Sequence, residues 1–237
     1  MEPVTLVEAV PQRAMAVYAH PDDPDVSCGG TLSRWAAAGC EVTVVVCALG
    51  DKGSDEPGAS PVEVAELRAR EAEQATALLG VRFLHRLGHR DGEVENDAAL
   101  RRELVSLIRL HRPETIVCPD PTAVFFGAHH YNHRDHRQVG WATLDATSPA
   151  ASSPLYFPDA GPPHAPSAVL MSGSLEPDVW VDVSGSLEAK LAAVGCHRSQ
   201  LADANDWFAS AIRAGAEEAG RRAGVRFAEA FRRLELA

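Results

Sequence analysis

Two short apolar segments near the start of the 237-residue chain place the strongest constraint on its fold. Residues 15–19 and 41–48 are rich in β-forming residues, and the second segment is apolar almost throughout, as in a strand buried on both faces. Between them, residues 29–39 have the pattern of a helix that ends at Gly39. Strand, helix and strand in this order predict a βαβ unit and therefore a parallel sheet.

The rest of the chain continues this alternation. The predicted helices are residues 61–80, 97–111, 139–146 and 187–201, with one or two more over 207–236, and the later strands are residues 81–84, 115–118, 169–171 and 179–183. Residues 148–166, rich in Pro, Ser and Ala, predict an irregular surface excursion. The predicted fold class is α/β: a Rossmann-like, mostly parallel sheet flanked by helices, with a C-terminal helical extension, in one domain over residues 1–237.

Composition argues against several classes of function. The net charge of −11 disfavours nucleic acid as a partner. The five cysteines are scattered without a C-x-x-C pair, which indicates reduced side chains rather than a disulfide framework. The first residues lack the pattern of a signal peptide, and no apolar run is long enough for a membrane span. We therefore expect a cytoplasmic protein with no membrane span. The sequence leaves open whether the protein forms a homo-oligomer.

The first predicted strand leads directly into His20, Asp22 and Asp23, with Pro21 fixing one backbone angle between them. Ligands of α/β sheets bind at the carboxyl ends of strands, so three metal-binding or proton-transferring side chains at this position indicate a functional site. A dinucleotide site would need G-x-G-x-x-G in this turn, whereas carboxylates repel phosphate. We predict that His20 and Asp23 bind a divalent metal and that Asp22 acts on a water molecule.

A second group of candidate ligands follows the fourth predicted strand, in the run Tyr131-Asn132-His133-Arg134-Asp135-His136. His133 and His136 are three residues apart and can lie on one face of a helix start. A catalytic zinc ion typically has three ligands from His, Asp or Glu and leaves a fourth position for water. One of these two histidines would complete the set begun by His20 and Asp23. Each motif alone could be a solvated turn, but their combination at two strand ends favours a metal site.

The two motifs, His20-Pro21-Asp22-Asp23 and His133-Arg134-Asp135-His136, resemble the signature of the N-acetylglucosaminylphosphatidylinositol de-N-acetylase family, the PIG-L-like or LmbE-like zinc deacetylases. The resemblance extends over most of the chain, through residues 29–32, 50–53, 68–80, 91–92 and 197–200. The sequence departs from the family pattern at Pro24, where the family usually has a small residue or glutamate.

The resemblance implies a role for each motif residue. His20, Asp23 and His136 would be the metal ligands, and Asp22 would be the general base. His133 would stabilise the oxyanion of the tetrahedral intermediate, with Asp135 fixing its tautomer and charge. The implied cofactor is Zn²⁺, although Fe²⁺ or Co²⁺ would also suit such ligands.

Four further residues are candidate substrate contacts. Tyr131 occupies a position where related enzymes have a tyrosine near the substrate carbonyl, and Asp51 follows the second predicted strand. Arg68 is a candidate on the family's helix, with a helix pair to Glu71 as the alternative. His197 resembles a C-terminal family element that returns to the pocket, and a plain helix end is the alternative. The pair His129-His130 lies in the loop that precedes the second motif, at the same predicted edge of the sheet. The remaining histidines are predicted to be surface or loop residues: His85, His89, His111 and His164.

The resemblance implies a zinc-dependent hydrolase that removes an N-acetyl or similar N-acyl group from an amino sugar, such as a derivative of N-acetylglucosamine. The implied partner is a small amino-sugar conjugate. Three alternatives stay open: an amidase of thiol-sugar conjugates, a deacetylase that tailors a secondary metabolite, and a metal-binding or sugar-binding module without turnover. The last alternative leaves Asp22 without a purpose, because binding alone does not need a base.

Overall fold

The computed structural model describes residues 5–128, 130–201 and 205–236, with Asn205 described by its backbone alone. The strands in this part of the chain are β1 (Thr5–Leu6), β2 (Arg13–Tyr18), β3 (Glu41–Ala48), β4 (Phe83–His89), β5 (Thr115–Pro119), β6 (Phe125–Phe126), β7 (His130–Tyr131), β8 (Ala168–Ser172), β9 (Val179–Asp182) and β10 (Ala228–Glu235). The helices are α1 (Asp23–Ala37), α2 (Pro61–Leu78), α3 (Ala98–His111), α4 (Arg134–Asp145), α5 (Leu187–Val194), α6 (Arg198–Leu201) and α7 (Asn205–Ala223), with a π-helical turn at Ala146–Ala151.

The two apolar segments form β2 and β3, which pair in parallel at the centre of the sheet. The described strands of this sheet follow the order β1-β9-β10-β8-β5-β2-β3-β4, and β10 alone among them pairs antiparallel to its neighbours. The fold class predicted from the sequence, an α/β fold with a mostly parallel sheet flanked by helices, is confirmed. The chain leaves β2 toward β3 on one side and later adds β5 on the other. The carboxyl end of β2 is therefore a topological switch point, where α/β sheets bind ligands.

Alternate residues of the central strands pack into two separate cores, which explains why these strands are apolar on both faces. Met15 and Val17 face α3 and α4, where they pack with Leu104 and Val139. The intervening residues of β2 face α1, α5 and α7 and pack in a second core. All five cysteines lie in the described ranges and are free, and burial raises the thiol pKa of Cys47 and of the others for which a shift is resolved. They behave as small apolar side chains, as predicted.

The last 30 residues differ in detail from the predicted run of helices. Helix α7 ends at Ala223, and β10 then enters the sheet between β8 and β9. The strand mixes apolar with charged residues, and the charged Glu229 is buried beside Lys190 of α5, which lies 2.5 Å away. A buried strand with charged residues lacks the continuous apolar run by which the other central strands can be predicted.

The predicted surface excursion at residues 148–166 is organised by one buried side chain. Arg109 of α3 is 2% exposed, and its guanidinium donates hydrogen bonds to six backbone carbonyls of this segment: those of Ala150, Ala151, Ser153, Tyr156, Phe157 and Gly161. The fixed fork of five N–H donors in arginine suits such a task. None of the described helices is long and apolar enough to cross a membrane.

Candidate metal centre

Loops that follow three strands of the sheet bring the predicted site residues together. His20 follows β2, and Asp91 follows β4. His133 and His136 stand at the first turn of α4, after the long connection from β5. All of them lie at the carboxyl edge of the sheet, at the switch point beside β2.

The three predicted ligands converge with the spacing of a tetrahedral metal site. His20 Nδ1 lies 3.2 Å from His136 Nε2, which in turn lies 3.1 Å from one oxygen of Asp23. The other oxygen of Asp23 is 3.4 Å from His20 Nδ1. Ligand atoms about 2.0–2.1 Å from a tetrahedral zinc ion stand about 3.3 Å apart. The three separations are close to this value, with both oxygens of Asp23 facing the histidines, so these residues are compatible with such an ion.

Hydrogen bonds on the far side of each imidazole aim the ligand nitrogens inward. His20 Nε2 is 3.1 Å from Asp91 Oδ1, and His136 Nδ1 is 3.0 Å from Asn132 Oδ1. Asn132 is itself anchored, because its amide donates to the carbonyl of Ala123. A carboxylate or carbonyl oxygen behind a ligating histidine is the usual means of fixing its tautomer and ring orientation.

The electrostatic environment favours positive charge at this point. Burial lowers the pKa of His20, but the carboxylates of Asp23, Asp135 and Asp91 outweigh it and raise the pKa to about 12. Burial alone would raise the pKa of the Asp23 carboxyl, because it disfavours the charged form. The neighbouring His136 and His20 instead hold that pKa well below its usual range. Such carboxylates stabilise a cation, whether it is a proton on His20 or a metal ion.

Pro24, the departure from the family pattern, occupies the first turn of α1. The backbone N–H groups of a first helical turn have no intrahelical partner, so a proline is tolerated there. The ligand geometry at Asp23 is therefore compatible with the proline that follows it.

The predicted base Asp22 is held by Arg68 of α2. The guanidinium is 4% exposed, and it donates to Asp22 Oδ1 at 2.8 Å and to the carbonyl of Gly50 at 3.1 Å. The alternative helix pair between Arg68 and Glu71 is wrong, because the Glu71 carboxylate accepts hydrogen bonds from Ser199. The structure thus places Arg68 as a support of Asp22.

His133 lies at the edge of the centre, with ring nitrogens of His20, His133 and His136 all within 4.8 Å of one another. Its Nδ1 accepts a hydrogen bond from the backbone N–H of Asp135, so the proton is on Nε2. Burial and the neighbouring His20 lower its pKa, against the opposing effect of Asp135, and so favour the neutral ring. The Asp135 carboxylate, predicted to orient His133, instead accepts from the N–H of Gly92 and lies 3.6 Å from His20 Nε2.

The predicted substrate contacts differ in their positions. Tyr131 is 59% exposed in the β6–β7 hairpin and is free to meet a ligand. Asp51 is half-buried and accepts from the backbone N–H of Asp91, so it supports that residue. His197 is 1% exposed and its Nε2 lies 2.7 Å from Asp25, an arrangement that agrees with the alternative of a plain helix end. His129 lies outside the described residues.

Sequence reasoning missed Asp91 and Asn132 as functional residues. The sequence at Asp91-Gly92 indicates a turn. The signal for a functional Asp91 is its place after β4, at the same sheet edge as His20. Asn132 lies four residues before His136, a spacing that allows contact across one helical turn.

A cavity of about 350 Å³ opens beside the metal-binding residues. Its wall includes Asp23 and His136 together with Tyr18, Phe126, His130 and Ser172. Tyr18 and Ser172 are hydrogen-bonded to each other at 2.7 Å on the buried side. This volume lies in the range of small-molecule sites.

Comparisons with known proteins agree with this geometry. The family model described as GlcNAc-PI de-N-acetylase (PIG-L) matches residues 15–147, more than half of the chain. A diacetylchitobiose deacetylase of Thermococcus kodakarensis is 31% identical over 225 residues, with 93% of this chain and 82% of the relative covered. A 1D-myo-inositol 2-acetamido-2-deoxy-alpha-D-glucopyranoside deacetylase of Rhodococcus jostii is 30% identical over 247 residues, with 80% and 82% covered.

Solved structures give the same result. The N,N'-diacetylchitobiose deacetylase of Pyrococcus horikoshii, in complex with an inhibitor, superposes with a TM-score of 0.87 at 27% identity, over 95% of this chain and 84% of that one. The residues matched by the family model include every residue of the centre from His20 to His136. The chain belongs to the GlcNAc-PI de-N-acetylase (PIG-L) family of metal-dependent deacetylases, and it is an amide hydrolase acting on linear amides.

Proposed function

We propose that the protein is a zinc-dependent N-deacetylase of an N-acetylglucosamine-type sugar, with Asp22 as the general base. The observation that carries the proposal is the convergence of His20, Asp23 and His136 at 3.1–3.4 Å beside an aspartate that a buried arginine holds in place. Ligands alone would suit a binding protein. The positioned Asp22 carboxylate supports a proton-transfer reaction.

His20, Asp23 and His136 are the residues that would hold the ion. A divalent ion there would supply a Lewis acid that polarises the amide carbonyl and makes water more acidic. Zn²⁺ suits two imidazoles and one carboxylate, and Fe²⁺ or Co²⁺ suits them as well.

Asp22 carries the proton through both halves of the proposed reaction. Water gives a proton to the carboxylate as its oxygen bonds to the amide carbon, which forms a tetrahedral intermediate. The carbon–nitrogen bond then breaks, and the amine takes the proton from Asp22, so that a free amine and acetic acid are released, and the acid ionises to acetate in water. Arg68 keeps Asp22 in one orientation during these steps, which reduces the cost of positioning.

His133 would stabilise the charge that develops on the carbonyl oxygen. Its Nδ1 is occupied by the backbone N–H of Asp135, so Nε2 carries the only ring proton. A neutral donor fixed in this way can hydrogen-bond to an oxyanion without having to reorient.

The substrate class is inferred from the shared part of the relatives' substrates. The two relatives are named for diacetylchitobiose and for an inositol-linked 2-acetamido-2-deoxyglucose, which both contain an N-acetylglucosamine unit. Tyr131, Asp51 and Arg68 remain proposed contacts of that sugar, and the cavity lined by Phe126 and His130 offers space beside the acetamide. Free buried cysteines support a reducing compartment, and we propose the cytoplasm.

The test is metal analysis of the purified protein together with amine release from a panel of N-acetylglucosamine derivatives. Asp22→Asn should retain one divalent ion and lose about 10²–10⁴-fold in kcat, the usual contribution of a general base. The exposed Asp159 of the excursion provides the matched control, since Asp159→Asn should leave both readings unchanged. Absence of a bound ion, or full activity of Asp22→Asn, would contradict the proposal.

A further inference from the structure

The segment from His197 to Gln200, at the start of α6, contacts three elements that lie behind the metal centre. The first contact is with α2. Ser199 donates from its backbone N–H and from its hydroxyl to the two oxygens of Glu71, at 2.8 and 2.6 Å. Glu71 is 6% exposed and stands one helical turn after Arg68, so these bonds fix the turn of α2 that carries the arginine.

The second contact is with the turn that follows β3. The amide of Gln200 donates to the carbonyl of Gly53 at 2.9 Å, and the N–H of Gly53 donates to the carbonyl of Gly50. The same Gly50 carbonyl accepts from Arg68. A Cβ atom at Gly53 would overlap the guanidinium and stand 3.0 Å from Gln200 Oε1, so the three groups are in close contact. The hydrogen bond from Gln200 therefore holds this turn in contact with Arg68.

The third contact is with α1. His197 Nε2 lies 2.7 Å from Asp25 Oδ2, and both side chains are at most 1% exposed. Asp25 is two residues beyond the predicted ligand Asp23, in the same first turn of α1. A buried polar pair of this kind is costly to break, because each partner would be left without its hydrogen bond.

We propose that residues 197–200 form a positioning clamp that fixes Asp22 and Arg68 for the deacetylation reaction. The inference rests on the proposed function, since it assigns the clamp to the base of that reaction. His197, Ser199 and Gln200 are positioning residues: they hold α1, α2 and the 50–53 turn, and these elements hold the Arg68–Asp22 ion pair. The clamp gives the buried His197 a role in the same functional unit as Asp22.

A clamp and a purely structural contact predict different kinetics. Loss of the clamp loosens the base, so kcat should fall while the substrate KM and the bound metal stay nearly constant. A contact that only stabilises the fold would lower the melting temperature without changing kcat in the fraction that remains folded.

The experiment uses Gln200→Ala and Ser199→Ala, singly, in the metal-loaded protein at saturating substrate. Each variant should lose about 10–100-fold in kcat, the usual effect of removing a group that orients a catalytic residue, with KM and metal content within twofold of the wild type. Ser199→Thr keeps a hydroxyl and should restore most of the rate. Ser210→Ala is the matched control, because the exposed Ser210 lies in α7 and its hydroxyl donates to the carbonyl of Asp206 in the same helix.

Hydrogen exchange provides a readout that is independent of activity. The backbone amides of residues 49–60 should exchange faster in Gln200→Ala than in the wild type. A fully active variant, or one with unchanged exchange, overturns the clamp if the wild type is active. An inactive wild type contradicts the proposed function instead, and unchanged exchange in Gln200→Ala would then overturn the clamp separately.

Discussion

Among the described residues, two groups of histidines lie in close contact, one at the carboxyl ends of the central strands and one near the amino ends. In the metal centre, the nearest ring nitrogens of His20 and His136 are 3.2 Å apart. At the other end, His85 of β4 and His111 of α3 approach with their Nε2 atoms 2.8 Å apart, beside a larger cavity of about 590 Å³. By histidine spacing and cavity volume alone, the second group would be the better candidate site.

The pKa shifts distinguish the two groups. Carboxylates around His20 overcome its burial and raise its pKa to about 12. Burial lowers the pKa of His85 and of His111, and the neighbouring His85 lowers that of His111 further. The second cavity is lined by Glu41 but also by Arg13 and Arg112, which disfavour a cation. The carboxylates, more than the histidines, identify a metal centre.

The strongest test of this comparison removes one histidine from each group. His136→Ala should weaken metal binding by at least about 100-fold and abolish turnover, because a ligand is lost. His111→Ala, the matched control, should bind the same amount of metal with the same affinity. Titration of the two metal-free proteins with Zn²⁺ or Co²⁺ measures both, and equal losses in the two variants would remove the distinction between the groups.

His133 should matter for the rate and not for the metal. His133→Gln is expected to lower kcat by about 10²–10³-fold, the cost of losing one oxyanion donor, with the metal retained. Steady-state kinetics and metal analysis of the same preparation decide this. Loss of the ion in this variant would show that His133 is a ligand, in place of the predicted His136 or beside it.

Asp91 tests the part played by carboxylates around the histidines. Asp91→Asn keeps the size of the side chain but removes a negative charge from His20 Nε2. Outer partners of ligating histidines usually account for 10–100-fold in metal affinity or activity, and we expect a loss of about that size. Metal affinity measured by chelator competition checks this expectation. The control is Glu103→Gln, which removes a carboxylate from His89 and should leave the metal affinity unchanged.

The smallest effect concerns the His85–His111 pair and its pH dependence. Because the pKa of both rings is lowered in the folded protein, the unfolded chain takes up protons first as the pH falls below about 6.5. The pair therefore makes stability decline from neutral pH toward acid. The double variant His85→Gln/His111→Gln should show a smaller drop in melting temperature between pH 7.5 and 5.5, and an unchanged drop would exclude this origin.

Much of the fold was predictable because parallel strands and their helices leave strong local patterns. The apolar β2 and β3 and the caps of the helices have such patterns; Asp97, for example, caps α3 by accepting a hydrogen bond from the N–H of Leu100. The strand β10 was not predictable in the same way. Its buried Glu229 is stabilised by Lys190, 39 residues away, and no local pattern records such a pairing.

The candidate site shows the same difference between what local sequence patterns predict and what long-range contacts determine. The sequence places His20, Asp22, Asp23 and the two later histidines at strand ends, where chemistry is expected. It does not reveal which hydrogen-bond partner each side chain takes, such as the N–H of Gly92 for Asp135 and the carboxylate of Asp25 for His197. Those contacts depend on the packing of elements distant in sequence.

The position of β10 also bears on how the chain folds during synthesis. Strands β9 and β1 join the rest of the sheet only through β10, among the described strands. Until residues 228–235 have emerged, β8 exposes an open edge and β9 has no neighbour on that side. Such non-local pairing forms late and exposes strand edges to association in the meantime. Nascent chains stalled shortly before residue 228 should therefore engage chaperones more than chains that have passed residue 235.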